Sequence, residues 1–567
     1  MDNKASGTKS GRFMPRFFSM LGRGYSAEFF MRDLMAGATV GVVALPLAMA
    51  FAIASGTTPD KGLVTSIVAG FLISFLGGSR YQIGGPTGAF VVIIYSVLFR
   101  HGYDGLVLTT LIAGVLLMIL GFCRMGTLIK FIPYPVTTGF TAGIAVIIFS
   151  SQMKDFFGLK MGAVPPDFLP KWGAFLSNAG TFDPATVGVG LASLAVILLV
   201  RRFSPRIPAP VVAVVLGCLV TGLAGLHVET IGTRFGGIPS SLPGLHMPHI
   251  TLAAVRAVFP DALTIAMLAG IESLLSCVVA DGMTGDRHNS DVELAAQGVA
   301  NIFSVLFGGI PATGAIARTA TNIKAGGQTP VAGMIHAGVL LCFILFLAPV
   351  ASFIPLASLA AVLIVVAWDM SEFHKFLRLF KAPKSDVMVM CATFLITVLI
   401  DLTVAVFTGI VFAAILFMRR MSEVTQITVS NGYAAEDDAA EGGELPHDEF
   451  VQTYEIDGPF FFGVADRFRA TINAMQRQPM VFILLMDKVP TIDSTGLSAL
   501  ESFIGQCAKS RTEVILAGVK EKTLKRLRKM GTDRVVGAER IVEDYAGARA
   551  LARALVAERR ALEGASA

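Results

Sequence analysis

The run LTIAMLAGIESLLSCVVAD, residues 263–281, is nearly continuous apolar sequence with one acid in its middle, Glu272. Its length suits a hydrocarbon core of about 30 Å. A carboxylate at that depth costs roughly 2.5–3.5 kcal/mol on insertion scales, so something must compensate it. Two readings account for such an acid: a structural tie to another helix, or a place on a pathway for ions or solutes. The uncharged carboxyl is the cheaper form in a buried setting. A protonated Glu272 would cease to repel an arriving anion, which would couple proton and anion.

The surrounding chain has the same character. Its 567 residues are 54% hydrophobic and 15% charged, with a mean hydropathy of +0.67. This is a polytopic α-helical membrane protein with room for a soluble part. A net charge of +5 is too small to suggest nucleic acid. The six cysteines show no CxxC pattern, and five lie in or beside apolar runs as small packed hydrophobes. His246 and His249 share a Pro-rich loop, but two ligands make a poor metal site, so no metal is expected. No nucleophile–base pair and no P-loop lysine motif appears, so neither an enzyme nor nucleotide hydrolysis is expected. Residues 1–30 carry Lys4, Lys9, Arg12, Arg16 and Arg23 without the apolar core of a signal peptide. FMPRFFSML reads as a basic amphipathic segment on the membrane surface.

Candidate spans lie at 34–56, 62–78, 105–122, 136–153, 184–200, 209–226, the opening run, 294–309, 331–350, 356–368, 386–401 and 402–418. Two apolar pieces are too short to cross, 87–99 and 313–323. The total is fourteen elements, an even number. Arg419–Arg420 and the basic N-terminal arm place both termini in the cytoplasm. The polar loop 284–294 is expected to be a solvated connector.

The two short pieces have similar lead-ins, Gly85-Pro86-Thr87-Gly88-Ala89 and Pro311-Ala312-Thr313-Gly314-Ala315. Thr87 to Thr313 is an offset of 313 − 87 = 226, and Gly56 to Gly282 repeats it, 282 − 56 = 226. Phe131-Ile132-Pro133 meets Phe353-Ile354-Pro355 at 353 − 131 = 222. Seven elements per half is odd, so the second half enters from the opposite face: a 7+7 inverted repeat, over about 31–230 and 255–423. A helix that starts near the midplane leaves free N–H groups there, with roughly half a positive charge. Two such starts facing each other form an anion site. Thr87 and Thr313 stand where N-cap hydroxyls would, with Gly88 and Gly314 allowing close approach. Arg318 in the second piece, matched by Val92 in the first, brings the site to roughly +2. It faces either the anion or a neighbouring acid such as Glu272. Ser276, one turn beyond Glu272, either bonds the site or packs, and Phe51 either walls the pocket or packs.

After Arg420 the composition changes. Residues 424–448 read as an acidic linker and 449–560 as a small mixed α/β domain. FVQTYEID, MVFILLMD and EVILAGV read as strands. GVADRFRATINAM, GLSALESFIGQC, KEKTLKRLRKM and 544–562 read as helices.

Several runs together carry a family resemblance: Arg32-Asp33-Leu34-Met35-Ala36-Gly37, LPLAMAF at 45–51, Gly84-Gly85-Pro86-Thr87, DGMTG at 281–285, ARTATNIKAGG at 317–327 and the C-terminal DSTG. Over residues 28–550 the chain resembles the SulP family of anion transporters, with a C-terminal STAS domain. Within that family, VAWDMSE at 366–372 and NIKAGGQTPVAGMIH at 322–336 resemble the dicarboxylic acid uptake branch.

The resemblance implies a core domain moving against a gate domain, with substrate between the starts of the third and tenth elements. It places Phe51 at the pocket aromatic, Thr87 and Gly88 at the third-helix start, Thr313, Gly314 and Arg318 at the tenth, and Glu272 as the eighth-helix acid. Glu rather than Asp there favours a proton over sodium as the coupling ion, and no other cofactor is expected. Leu47 departs from members with a polar residue at that position. Ser494 and Thr495 fall where the antagonist relatives of the STAS domain are phosphorylated; the alternative for Thr495 is a helix N-cap.

The expected function is proton-coupled uptake of C4-dicarboxylates such as succinate, fumarate or aspartate across the bacterial inner membrane. Sulfate or bicarbonate transport is the alternative substrate reading. A membrane-anchored sensor signalling through the STAS domain is the alternative class. The expected partners are the anion, membrane lipid, a second copy of the chain and a cytosolic protein bound by the STAS domain.

Overall fold

The computed structural model describes residues 13–22, 24–127, 133–162, 164–204, 207–241, 243–248, 250–400, 402–431, 450–461 and 479–565. They form two compact units, Met1–Val411 and Phe412–Ala567.

The helices of the membrane part follow the apolar runs. They are α1 (Ala27–Ala54), α2 (Pro59–Leu76), α3 (Gly88–Phe122), α4 (Tyr134–Ser151), α5 (Pro184–Phe203), α6 (Ala209–Leu223), α7 (Leu252–Thr284), α8 (Ser290–Leu306), α9 (Ile316–Lys324), α10 (Val331–Ala351), α11 (Leu356–Met370), α12 (Lys384–Leu399) and α13 (Leu402–Val424). The helical run of α3 breaks at Gly102, whose φ of 67° and ψ of −171° leave the helical region. It is therefore two arms, 88–101 and 103–122, as the separate readings at 87–99 and 105–122 anticipate. Among the described residues this gives fourteen elements, seven before α7 and seven from it onward. Eight helical runs reach full crossing length and apolarity. The 33-residue α7 is longer than the apolar run suggests: Thr251 caps its start by accepting from the Ala254 amide, and Gly285 ends it with a φ of 74°.

The two halves meet through their extended lead-ins. Strand β1 (Gly84–Gly85) pairs antiparallel with β2 (Thr313–Gly314), Gly84 opposite Gly314 and Gly85 opposite Thr313. Antiparallel pairing of equivalent segments is what an inverted repeat requires. The structural offset between half-helix starts is 316 − 88 = 228, two residues more than the sequence match. Ala315, not Thr313, is therefore the counterpart of Thr87. The Phe131-Ile132-Pro133 match cannot be compared, since residues 131 and 132 lie outside the described residues.

Small residues let backbones touch. A Cβ on Gly298 of α8 would stand 2.5 Å from the Gly114 carbonyl oxygen of α3, and one on Gly114 would stand 2.8 Å from that of Gly298. Asp33, buried, accepts from the Tyr25 hydroxyl and from the Gln328 and Thr329 amides, which ties α1 to the start of α10.

The 284–294 stretch is not a solvated connector. Helix α8 begins within it, and Glu293 is fully buried. Glu293 accepts from the amides of Gly78 (2.8 Å) and Ser79 (3.1 Å) and from Gln297. Asp286 binds Arg16 at 3.0 Å, and His288 binds Asp281 at 2.7 Å. The amphipathic N-terminal piece forms a short helix, Arg16–Leu21. Phe17 and Phe18 pack on Phe75, and Phe13 packs on Phe122.

The C-terminal unit carries a five-stranded sheet: β3 (Gln426–Asn431), β4 (Val451–Asp457), β5 (Val481–Leu485), β6 (Glu513–Ala517) and β7 (Ile541–Val542), in that order. β3 is antiparallel to β4 and the rest are parallel. Helices α14 (Ser494–Lys509), α15 (Glu521–Met530) and α16 (Tyr545–Ala565) match their expected positions. β3 corrects the linker: residues 426–431 are an edge strand, because their alternating pattern finds β4 as a partner. The rest of that segment and the GVADRFRATINAM helix, residues 463–475, lie outside the described residues.

Replacing Gly298 by Val is expected to lower the stability of the detergent-solubilised protein by about 1–3 kcal/mol, read as a drop in melting temperature. Gly338→Val, where a Cβ meets nothing within 4 Å, should leave it unchanged.

Candidate functional site

Two broken elements start where β1 and β2 cross, and the chemistry gathers there. The first arm of α3 begins at Gly88 with Thr87 as its N-cap, and α9 begins at Ile316 with Ala315 as its N-cap. Neither cap makes a side-chain capping bond; the Phe90 amide donates to the Thr87 carbonyl at 3.2 Å, which leaves the first two N–H groups of each helix for another acceptor.

Thr87 uses its hydroxyl differently from a cap. It donates to Oε2 of Glu272 at 2.8 Å. The acid in the middle of α7 is thereby brought to the start of the first half-helix. Both side chains are only half-buried, so this pair borders open space.

Arg318 is the buried cation, 2% exposed. From the third residue of α9 it reaches back across the strand pair. Nη2 donates to the Pro86 carbonyl at 3.3 Å and Nη1 to Ser66 Oγ at 3.4 Å. Among the described residues no carboxylate lies within 4 Å of it, so the expected alternative of a pairing acid is not realised, Glu272 included. Gly85 makes this reach possible: its φ is 153°, and a Cβ there would stand 2.2 Å from Nη1.

Phe51 is buried against Gly88, whose added Cβ would meet Met370 Sδ at 2.7 Å, Ile148 Cδ1 at 3.0 Å and Phe51 Cε1 at 3.3 Å. The start of α3 is thus walled by three side chains from α1, α4 and α11. Met370 and Ile148 escaped the sequence reading because each is one apolar residue among many on its helix.

Three expected residues sit elsewhere in the scheme. Thr313 lies in β2 and donates its hydroxyl to the Ala269 carbonyl at 2.8 Å, so it ties β2 to α7 rather than capping a helix. Gly314 is packed against Gln82, with an added Cβ 1.8 Å from Nε2. Its role is close packing, since Gln82 occupies the space a ligand would need. Ser276 donates to Thr319 Oγ1 at 3.0 Å, and Thr319 accepts from the Ile83 amide at 3.1 Å. These bonds brace α7, α9 and the β1 lead-in behind the site. The Arg318–Val92 match shifts as well: Arg318 and Phe90 hold the same third position of their helices.

The arrangement places one guanidinium and two helix starts, each worth roughly half a positive charge, beside one protonatable acid. Its net charge is roughly +2 with Glu272 neutral and +1 with it ionised. Of the other candidates, His246 bonds Asp104 at 2.8 Å, and His249 lies outside the described residues. In the C-terminal unit Asp493, not Thr495, caps α14, accepting from the Gly496 amide at 2.7 Å. Ser494 and Thr495 are exposed in the first turn.

The chain matches the sulfate permease family over residues 30–393 and the STAS domain over 444–548. A putative sulfate transporter of Bacillus subtilis, YvdB, is 40% identical over 94% of this chain and 99% of its own. The bicarbonate transporter BicA of Picosynechococcus is 32% identical over 88% of this chain and 90% of its own. The solved structure of the murine Solute Carrier 26 family member A9 anion transporter, in the inward-facing state, superposes with a TM-score of 0.85 at 18% identity, covering 98% of this chain and 96% of that one.

Gly85→Ala is expected to displace the guanidinium and weaken anion binding on the order of 10- to 100-fold, the size of a lost charge-assisted hydrogen bond. Gly314→Ala is expected to act instead on thermal stability. Titration calorimetry and melting curves of the two purified variants separate the effects.

Proposed function

The chain belongs to the sulfate permease family of anion transporters, and on that premise we propose that it is a secondary active transporter that takes up C4-dicarboxylates with protons. The observation that carries this reading is the Thr87–Glu272 hydrogen bond at the start of the first half-helix. It puts a protonatable acid beside the place where an anion would dock.

In this reading the anion sits between the starts of α3 and α9. It is held by their free N–H groups and by Arg318, with Phe51, Ile148 and Met370 closing the apolar side. Glu272 loads its proton when the anion arrives and so removes a like charge from the site. The core domain, which carries both half-helix starts, then moves against the gate domain about the bound pair, in the way inverted-repeat transporters alternate access. When the proton leaves on the other face, the acid again carries a negative charge and the anion is expelled. The termini face the cytoplasm, following the basic N-terminal arm.

A site charge of roughly +2 with Glu272 neutral suits any small dianion, a C4 diacid and sulfate alike, so the C4 diacid is preferred on the resemblance of residues 322–336 and 366–372 alone. Sulfate and bicarbonate are the competing substrates, supported by the similarity to YvdB, a putative sulfate transporter, and to BicA, a bicarbonate transporter. A sensor would bind an anion without moving it, and a paired set of half-helices serves no purpose in such a protein.

Uptake of radiolabelled succinate into proteoliposomes under an imposed pH gradient is the test. Succinate should accumulate, and sulfate and bicarbonate should compete weakly. Sulfate entry without succinate entry or competition would overturn the substrate. Glu272→Gln should keep anion binding and lose proton-driven accumulation; unchanged accumulation would overturn the coupling role.

A further inference from the structure

The membrane unit encloses a cavity of about 530 Å³ that is separate in its lining from the residues of the candidate site. Its position follows from the direction of the helices. Helix α1 ends there at Ala54, α2 begins there with Lys61, the first arm of α3 runs along it from Val91 to Arg100, and α12 ends there at Leu399. All four lie on the face opposite to the start of α1. Its lining includes Ile53, Val91 and Ile147, which lie within three residues along the chain of Phe51, Gly88 and Ile148. Along the chain, the cavity lining therefore adjoins the apolar wall of the candidate site.

Its charges do not balance. Arg100 is neutralised by Asp261 at 3.0 Å, and Arg234 by Asp155 at 2.7 Å. Lys171 and Lys61 have no such partner: among the described residues no carboxylate lies within 4 Å of either. Lys171 is 4% exposed, yet it lines the cavity. The Tyr95 ring centroid lies 6.0 Å from its Nζ. Asp167, the N-cap of the short helix Phe168–Ser177 that carries Lys171, acts on it only at a distance. Burial pulls the ammonium down from the ordinary lysine value, partly offset by Asp167. Lys61 lies 3.6 Å from the centre of the Tyr103 ring and reaches the Gly308 carbonyl at 3.5 Å. Taking an ammonium out of water costs several kcal/mol unless an opposite charge answers it. Two such ammoniums on one cavity leave it with unanswered positive charge.

We propose that this cavity is an anion-capture site, in which Lys171 and Lys61 hold a small oxyanion on its way to the half-helix starts. This rests on the transport reading above. The ligand is a carboxylate or sulfate group, bound by charge and by the ammonium N–H donors. Binding there raises the local anion concentration along the arm of α3 that starts at Gly88, as fields focused in a charged cleft do. Because the cavity opens away from the start of α1, its effect is confined to uptake from that face.

The test uses the full-length protein in lipid nanodiscs and in oriented proteoliposomes. An amine-reactive, membrane-impermeant reagent labels Lys171, read by mass spectrometry, with and without succinate and with and without sulfate. The transported anion should slow the labelling severalfold and saturably. Lys171→Gln should raise KM for entry from that face about tenfold, leave kcat and the KM from the other face unchanged, and be rescued by Lys171→Arg. If Lys171→Gln fails to fold, Lys61→Gln carries the same readout. Labelling unaffected by either anion, or KM shifted equally from both faces, overturns the capture site while transport stands. Protection of Lys171 without any flux keeps the capture site and overturns the transport reading.

Discussion

A guanidinium buried in a membrane unit, with no carboxylate partner among the described residues, is the constraint on which the rest depends. Arg318 stays there because the first half of the chain offers it the Pro86 carbonyl and Ser66. Those acceptors are available only because β1 and β2 cross antiparallel and because Gly85 has no side chain. Neutral acceptors leave the positive charge standing, and two helix starts point at the same region. The inverted repeat thus does more than double a fold. It brings the two broken elements, one from each half, to one place with the same sign of charge.

Glu272 is held on the other side of that place by Thr87, across the two halves. Behind it, Ser276 and Thr319 connect α7 to α9, and Glu293 secures the Gly78–Ser79 turn that leads into β1. A buried carboxylate that answers two backbone amides and Gln297 is a structural member. Glu272 and Glu293 are therefore acids of opposite character. Glu293 is satisfied from several sides, and Glu272 has one hydroxyl and open space.

The membrane architecture was legible because apolar runs and breaks have few alternatives in a bilayer. Spans agree with helices to within a few residues at most positions, and both short pieces appear as helices that start at an extended lead-in. The polar residues of the candidate site stand out for the same reason: Glu272 and Arg318 lie against an apolar background. What was not legible depends on register and on tertiary contact. Matching the Thr-Gly-Ala runs misaligned the halves by two residues, since the extended lead-in of α9 is longer than that of α3, and this made a cap of Thr313. Glu293 looked like part of a polar loop, because nothing local reveals that Gly78 and Ser79 aim their amides at it. Met370 and Ile148 carry no sequence signal that distinguishes them from lipid-facing neighbours. β3 hid beside an acidic segment, since an edge strand is defined by its partner.

The central claim is that one anion is held between the starts of α3 and α9 by Arg318. A structure of the full-length protein with the transported anion bound, determined by electron cryo-microscopy, tests it most directly. The account predicts anion density between Gly88 and Ile316, within hydrogen-bonding distance of the Arg318 guanidinium and beside the Thr87–Glu272 pair. Density confined to another place in the membrane unit, with Arg318 still bound only to Ser66 and Pro86, would contradict it.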